Sequence, residues 1–408
     1  MKRTIKLAVV AALALGTTSA FATNGATMIA VGAKSMGMGG TGIGVGHGAE
    51  SALVNPALIT TIKGNNEVSF GGTVFMPSIK VDGVMGATEG DSSSDFFVIP
   101  SVSLASKVND NFYWGIGMWG TGGLGVDYRG DAAQMNMVTA LQTMQFGVPL
   151  AYTNSGFSIG VTPIVQYSSL DINYVMPNMG GAPLDDQDIG AGAAQDIALG
   201  YNIGLAYETD GFTIGAVYKS EIKYNIDDVV SHSVNSMYAQ MGMPAFNYDQ
   251  DEMATPAEYG IGISYTTEGH TVAIDYKKIN WEDAEIYKDF GWEDQDVVAI
   301  GYEYATDGWA VRAGYQYAKG AVQDNTGKNL HLDTIPNLTN TFNLIGFPGT
   351  QESHITLGGT YAFNETLSLD LAAVFGLENK EEFTVFTGAQ AEQTHSEQSY
   401  SVQLNYAF

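Results

Sequence analysis

The sequence predicts an all-β fold: a 14-stranded antiparallel transmembrane β-barrel with an N-terminal plug (hatch) segment in the lumen. Three observations predict it. From Asn66 to the end, stretches of about ten residues alternate apolar and polar, as strands with one greasy and one wet face must. Short polar turns and long irregular connections join these stretches in strict succession. The composition is also wrong for a soluble domain: 15% of the 408 residues are charged, against about 25% in soluble proteins, and Gly (50) and Tyr (22) are in excess. Glycine weakens helices, whereas tyrosine favours strands and sits well where one end of its ring meets lipid and the other meets water.

Taken in order, Met1 to Lys6 is basic, Leu7 to Gly16 is apolar, and Ala20, Phe21 and Ala22 fit the small-x-small cleavage rule. Residues 1–22 are therefore expected to be a signal peptide, removed after Ala22. Losing Lys2, Arg3 and Lys6 takes the formal charge from -27 to -30, which disfavours nucleic acid as a partner. The absence of cysteine excludes disulfides, thiol catalysis and thiolate zinc sites. Beyond the signal no segment reaches the roughly 20 apolar residues of a helical span.

Residues 23–63 break the alternation. They are Gly-rich, weakly periodic and too polar for a membrane strand, so they are expected to form a hatch inside a barrel built from residues 64–408. Gly37 to Gly42 formally fits G-x-G-x-x-G, but lacks the preceding strand and following helix that dinucleotide binding requires.

Short turns are read at 108–111, 153–156, 208–211, 267–270, 305–308 and 363–366, where Asn, Asp and Gly tolerate the positive φ of tight hairpins. Long connections are read near 76–96, 120–140, 169–194, 224–255, 282–292, 320–351 and 378–395. Six turns and seven loops join fourteen strands, an even number that leaves both barrel ends on the periplasmic side. Lipid-facing rows are clearest at Ile197, Leu199, Tyr201, Ile203, Leu205 and Tyr207, and at Tyr400, Val402, Leu404, Tyr406 and Phe408. Their aromatic ends supply interface girdles.

The run VGAKSMGMGGTGIGVGHGAESALVNPALIT, Val31 to Thr60, resembles the amino-terminal hatch of the FadL-type outer-membrane transporters of long-chain fatty acids and hydrocarbons. Similar stretches are FYWGIGMWGTGGLGVDY from Phe112, INWEDAEIYKDFGWEDQDVVAIGYEY from Ile279, WAVRAGYQY from Trp309, GGTYAFNETLSLDLAAVF from Gly358, and the closing NYAF, so the resemblance spans nearly the whole mature chain. It implies an outer-membrane protein, not an enzyme, that passes hydrophobic small molecules inward without a cofactor. Gly39, Gly42, Asn55, Pro56 and Ala57 would belong to the hatch. The partners implied are the hydrophobic ligand, outer-membrane lipid and lipopolysaccharide, and the barrel-assembly machinery through Phe408, with the chain a monomer. In this family the third strand is kinked inward to open a side window. Gly120, Gly122 and Gly123 match that position, and glycine within a strand marks a bulge or close approach; a loop beginning beyond the strand is the other reading.

Val230, Val234, Met237, Tyr238 and Met241 follow helical spacing in a long loop, with Met243 and Phe246 extending the apolar set. The reading is an exposed apolar face that captures ligand, with Tyr174, Val175, Met176 and Met179 opposite; methionine suits ligands of varied shape. Counting by twos places Lys219, Lys223, Lys277 and Arg312 on the inner wall beside Glu221, Asp275 and Glu303. Lys219, Lys277 and Arg312 are candidate ligand contacts, Arg312 alternatively pairing diagonally with Glu303.

Two other functions fit a barrel: a hydrophilic diffusion porin, with a charge-lined and unplugged lumen, and a barrel-wall lipid hydrolase, for which Ser353 and His354 are the pair to try. The six histidines lie singly, without metal-ligand spacing. Acid clusters at 185–188 and 249–252 lack the full calcium-loop pattern and read as solvated loop charge.

Overall fold

A computed structural model describes residues 23–84, 89–176 and 186–408. The expected signal, residues 1–22, lies outside the described residues, as does Met179. Alternation becomes fourteen strands: β1 Asn66–Asp82, β2 Phe97–Lys107, β3 Phe112–Asp127, β4 Val138–Gly147 continued by Leu150–Asn154, β5 Phe157–Met176, β6 Ala194–Thr209 and β7 Phe212–Lys219. The second half is β8 Glu258–Thr267, β9 His270–Ile279, β10 Gln295–Ala305, β11 Trp309–Ala318, β12 Ser353–Ala362, β13 Leu367–Thr384 and β14 Gln390–Ala407. Each pairs antiparallel with the next, and β14 closes on β1 from Ala407 opposite Glu67 to Glu392 opposite Asp82. No sheet edge runs the length of the wall, which is what spanning lipid demands.

The period-two prediction holds on the outside. Ile197 and Leu199 are 67% and 77% exposed, on a row that continues through Tyr201 to Tyr207, and Tyr400 to Phe408 form another. Such a surface is stable only against lipid.

The seventh long connection was read too long. β13 and β14 run 18 residues each and meet at a turn of residues 385–389. At about 3.4 Å per residue they are far longer than the ~25 Å apolar band, so their outer part stands in water, where polar side chains suit both faces and alternation fades. The same reasoning lengthens β1, β3 and β5 beyond their expected ends.

Two helices fill the outer end, α3 Val229–Gln240 and α4 Leu338–Gly346, the latter wholly buried. Residues 23–63 lie against the inner wall, with the short helices α1 Ala33–Gly37 and α2 Ser51–Val54. Backbone meets backbone there: a Cβ on Gly215 of β7 would sit 1.8 Å from the Ile43 carbonyl oxygen, and one on Gly314 of β11 2.2 Å from the Gly39 nitrogen. Much of the glycine excess is thus spent on the wall.

Candidate functional site

The N-terminal segment is held by inward side chains. Asp275 of β9 accepts the backbone N–H groups of Gly42 (2.7 Å), Ile43 (2.7 Å) and Gly44 (3.3 Å). Gly39, at φ +69°, donates its N–H to the Thr356 hydroxyl at 2.9 Å. Asn55 is fully buried; its amide donates to the carbonyls of Ile43 (2.8 Å) and Leu205 (3.2 Å), while its Oδ1 accepts from the Ala57 N–H at 3.1 Å. It thereby caps the short helix Pro56–Thr61, whose first position Pro56 fills without wasting a donor.

A cavity of about 80 Å³ lies between this segment and the wall. The segment contributes Ala26 to Val31, β3 contributes Thr121, β4 contributes Thr143, and the polar end holds Lys219, Glu258 and Lys277. Lys219 and Glu258 pair at 3.0 Å. Lys277 has no hydrogen bond or ion pair among the described residues, although Glu258 and Asp275 are nearby acids.

Beside this cavity the wall is incomplete. Pairing of β2 with β3 stops at Ser101 opposite Trp119, next to Pro100, which has no N–H to give. β3 continues to Asp127 paired with β4, but its register slips between Gly120 and Gly122, leaving Thr121 out of the ladder. The freed edge is met from within: Gly122 pairs with Thr27, and the Gly123 N–H donates to the Ala26 carbonyl at 2.9 Å. Gly120, Gly122 and Gly123 are therefore strand residues at a bulge, not the start of a loop.

Arg312 stands elsewhere. It lies directly opposite Glu303, not diagonally, at 2.6 Å, and 3.7 Å from Asp370, in a separate polar cavity of about 630 Å³ at the short-turn end. Lys223 is not on the inner wall. β7 ends at Lys219, the alternation slips at Ser220 and Glu221, and the ribbon Ile222–Asn225 buries Ile222 and Tyr224 while Lys223 faces outward to Glu252 and Glu285.

The expected exposed face of α3 is turned inward. Met176, Val234, Met237 and Tyr238 are buried, and Met241 and Phe246 are partly buried against the same cluster. Tyr238 stacks on Phe246 at 3.7 Å, and the Tyr174 hydroxyl donates to the Ser233 carbonyl at 2.6 Å. Burying the face removes the cost of exposing it to water. Asp251, read as loop charge, accepts the N–H groups of Val230 and Ser231 and so neutralises the helix's positive end.

Sequence reading placed the loop between β9 and β10 near 282–292 but missed what its aromatic residues do. Trp281, Tyr287 and Trp292 cluster there with ring centroids 4.6 to 5.0 Å apart. Three large aromatics among acids was the available signal. Burial, with Tyr224 adding to it, raises the Tyr287 phenol well above its ordinary value. Ser353 and His354 are divided by the strand: Ser353 meets the exposed Tyr315 hydroxyl at 3.1 Å, while His354 turns inward to Glu397 at 2.5 Å, so they form no dyad.

The profile of the family described as "Outer membrane protein transport protein (OMPP1/FadL/TodX)" matches residues 11–408. The chain belongs to this family. It is an outer-membrane transport protein, and the resemblance seen at the hatch motif and third strand holds over the whole length. Its sequence is 24% identical over 429 aligned positions to the long-chain fatty acid transport protein of Escherichia coli O6:H1, covering 90% of this chain and 92% of that one. A Pseudomonas aeruginosa FadL homologue shares the fold at a TM-score of 0.71 and 17% identity, covering 94% of this chain and 100% of the other. The Pseudomonas putida toluene transporter TodX does so at 0.67 and 21%, covering 93% and 99%.

Proposed function

We propose that this protein takes up hydrophobic small molecules by passive diffusion, long-chain fatty acids or neutral hydrocarbons, and releases them sideways through the wall between β2 and β3. The observation that carries this reading is the bulged residue: Thr121 has left the β3 ladder where β2 pairing ends, and it lines the lumen cavity. Releasing an alkyl chain into periplasmic water costs about 0.8 kcal/mol per CH₂, whereas sliding into lipid costs almost none of this. Residues 23–63 serve as the hatch that shuts the axial route. Met241 and Phe246, the less buried members of the α3 set, are where an arriving ligand first meets apolar surface.

The relatives named for fatty acids and for toluene support the ligand class, and the unpaired Lys277 favours a carboxylate head in the cavity. Cells lacking their own transporters of this kind are expected to take up radiolabelled oleate only when they express this chain. A hydrophilic porin would instead admit small sugars and leave oleate uptake unchanged. Lys277→Met should weaken oleate binding about tenfold, or about 1.4 kcal/mol, and leave toluene binding unaltered; equal binding of oleate by both proteins would remove Lys277 from the site.

A further inference from the structure

The bore holds a second apolar pocket, nearer the long loops, beneath α3 and α4. It is lined by Leu170, Val234, Ile286, Phe290, Phe342 and Phe347 among others. Among the described residues only Tyr287 lines both this pocket and the lumen cavity. Its ring stands between them, against Trp281 and Trp292, each with a centroid 4.6 Å away.

The three rings are not held alike. The Trp281 indole N–H donates to Gln295 Oε1 at 2.9 Å, and that of Trp292 to Asn343 Oδ1 at 3.1 Å. The Tyr287 hydroxyl has no hydrogen-bond partner among the described residues. The loop is tied down around it: the Phe290 backbone carbonyl accepts from the Asn325 and Asn343 side chains, and the Asp289 carboxylate accepts from the Tyr248 hydroxyl at 2.7 Å. Ile286, immediately before Tyr287, is left-handed at φ +70°, an uncommon and strained state for a β-branched residue. Glycine would remove that strain, but Ile286 also supplies wall to the outer pocket. The backbone is thus fixed in a bend that aims one unanchored ring across the bore.

We infer that Tyr287 is the gate residue of the inward path, a side chain whose rotation joins the outer pocket to the lumen cavity and limits what passes to a single alkyl chain or a single aromatic ring. Side-chain rotation suffices, and the loop stays in place. This rests on the import reading but is tested apart from it.

The chain has no cysteine, so Ala299→Cys in the cavity wall gives a unique thiol whose reaction with N-phenylmaleimide, added to intact cells, reports access from outside. In this background Tyr287→Ala is expected to raise the labelling rate about tenfold, Tyr287→Trp to lower it, and Tyr287→Phe, which keeps the ring, to leave it unchanged. Labelling at one rate in the Ala, Trp and wild-type backgrounds would overturn the gate, as would a raised rate in Tyr287→Phe. The Trp variant adds to the barrier without emptying the site, so the question stays open to test if the Ala variant folds poorly. Should cells expressing the unaltered protein take up neither oleate nor toluene, import would fail while the labelling rates still judged the gate.

Discussion

The two ends of the bore are filled by different physics. Toward the short turns, residues 23–63 are held by directional contacts: three N–H groups on Asp275, the Asn55 amide between two carbonyls, and Glu50 accepting from Gln403 of β14 at 2.5 Å. Toward the long loops, Met237, Phe290, Phe342 and Tyr287 are held mainly by apolar packing. A hydrogen bond has one place to be made, and losing it strands a buried donor. Apolar packing is non-directional, so the same side chains can rearrange around a guest. The polar end suits a closure that stays put, and the apolar end suits a surface that yields.

That contrast is broken most severely by deleting Thr23 to Lys63. If the segment is the hatch, planar-bilayer conductance should rise about tenfold or more; a deletion variant passing no more current than the intact protein would contradict the role. At the other end, Met237→Ala should leave a void under α3 worth about 2–5 kcal/mol of local stability. The expected result is faster proteolysis within residues 226–252 with the barrel's heat resistance unchanged, and equal cleavage would show that packing there is not what holds the cap. Asn55→Ala is the mildest change. Losing a helix cap costs about 1 kcal/mol, so brief current bursts should appear without steady leakage. A bilayer trace as quiet as that of the unaltered protein would count against Asn55 as a clasp.

What could be read from the sequence follows the same division. The lipid-facing rows were legible because lipid enforces period two, from Ile197 to Tyr207 and from Tyr400 to Phe408. The outer parts of β13 and β14 were not, because water accepts polar groups on both faces and the pattern disappears. Lys223 was misplaced by a slip of alternation at Ser220 and Glu221 that nothing in the residue types announces. Helical spacing revealed α3 but not the sign of its exposure, since a face that captures and a face that packs have the same composition. α4 places Leu338, Phe342 and Ile345 at helical spacing, but its polar side, with Asn340 and Asn343, is buried too, so a pattern that normally marks a wet face here marks none. The glycines of β3 pointed to a bulge, but that β2 stops pairing there is a property of two strands together. Tyr287 is set apart by what its hydroxyl lacks, which only the folded loop reveals.

Lateral release is tested most directly at Thr121, the residue the β3 ladder omits. Thr121→Cys supplies the chain's one thiol, so a bulky methanethiosulfonate can be attached after the barrel has folded and the gap filled without disturbing assembly. Oleate delivery to the cell, measured before and after modification, is predicted to stop, while quenching of tryptophan fluorescence still reports oleate in the cavity. Delivery at the unmodified rate would mean that ligand does not leave between β2 and β3, and the account of this protein as a side-opening channel would be wrong.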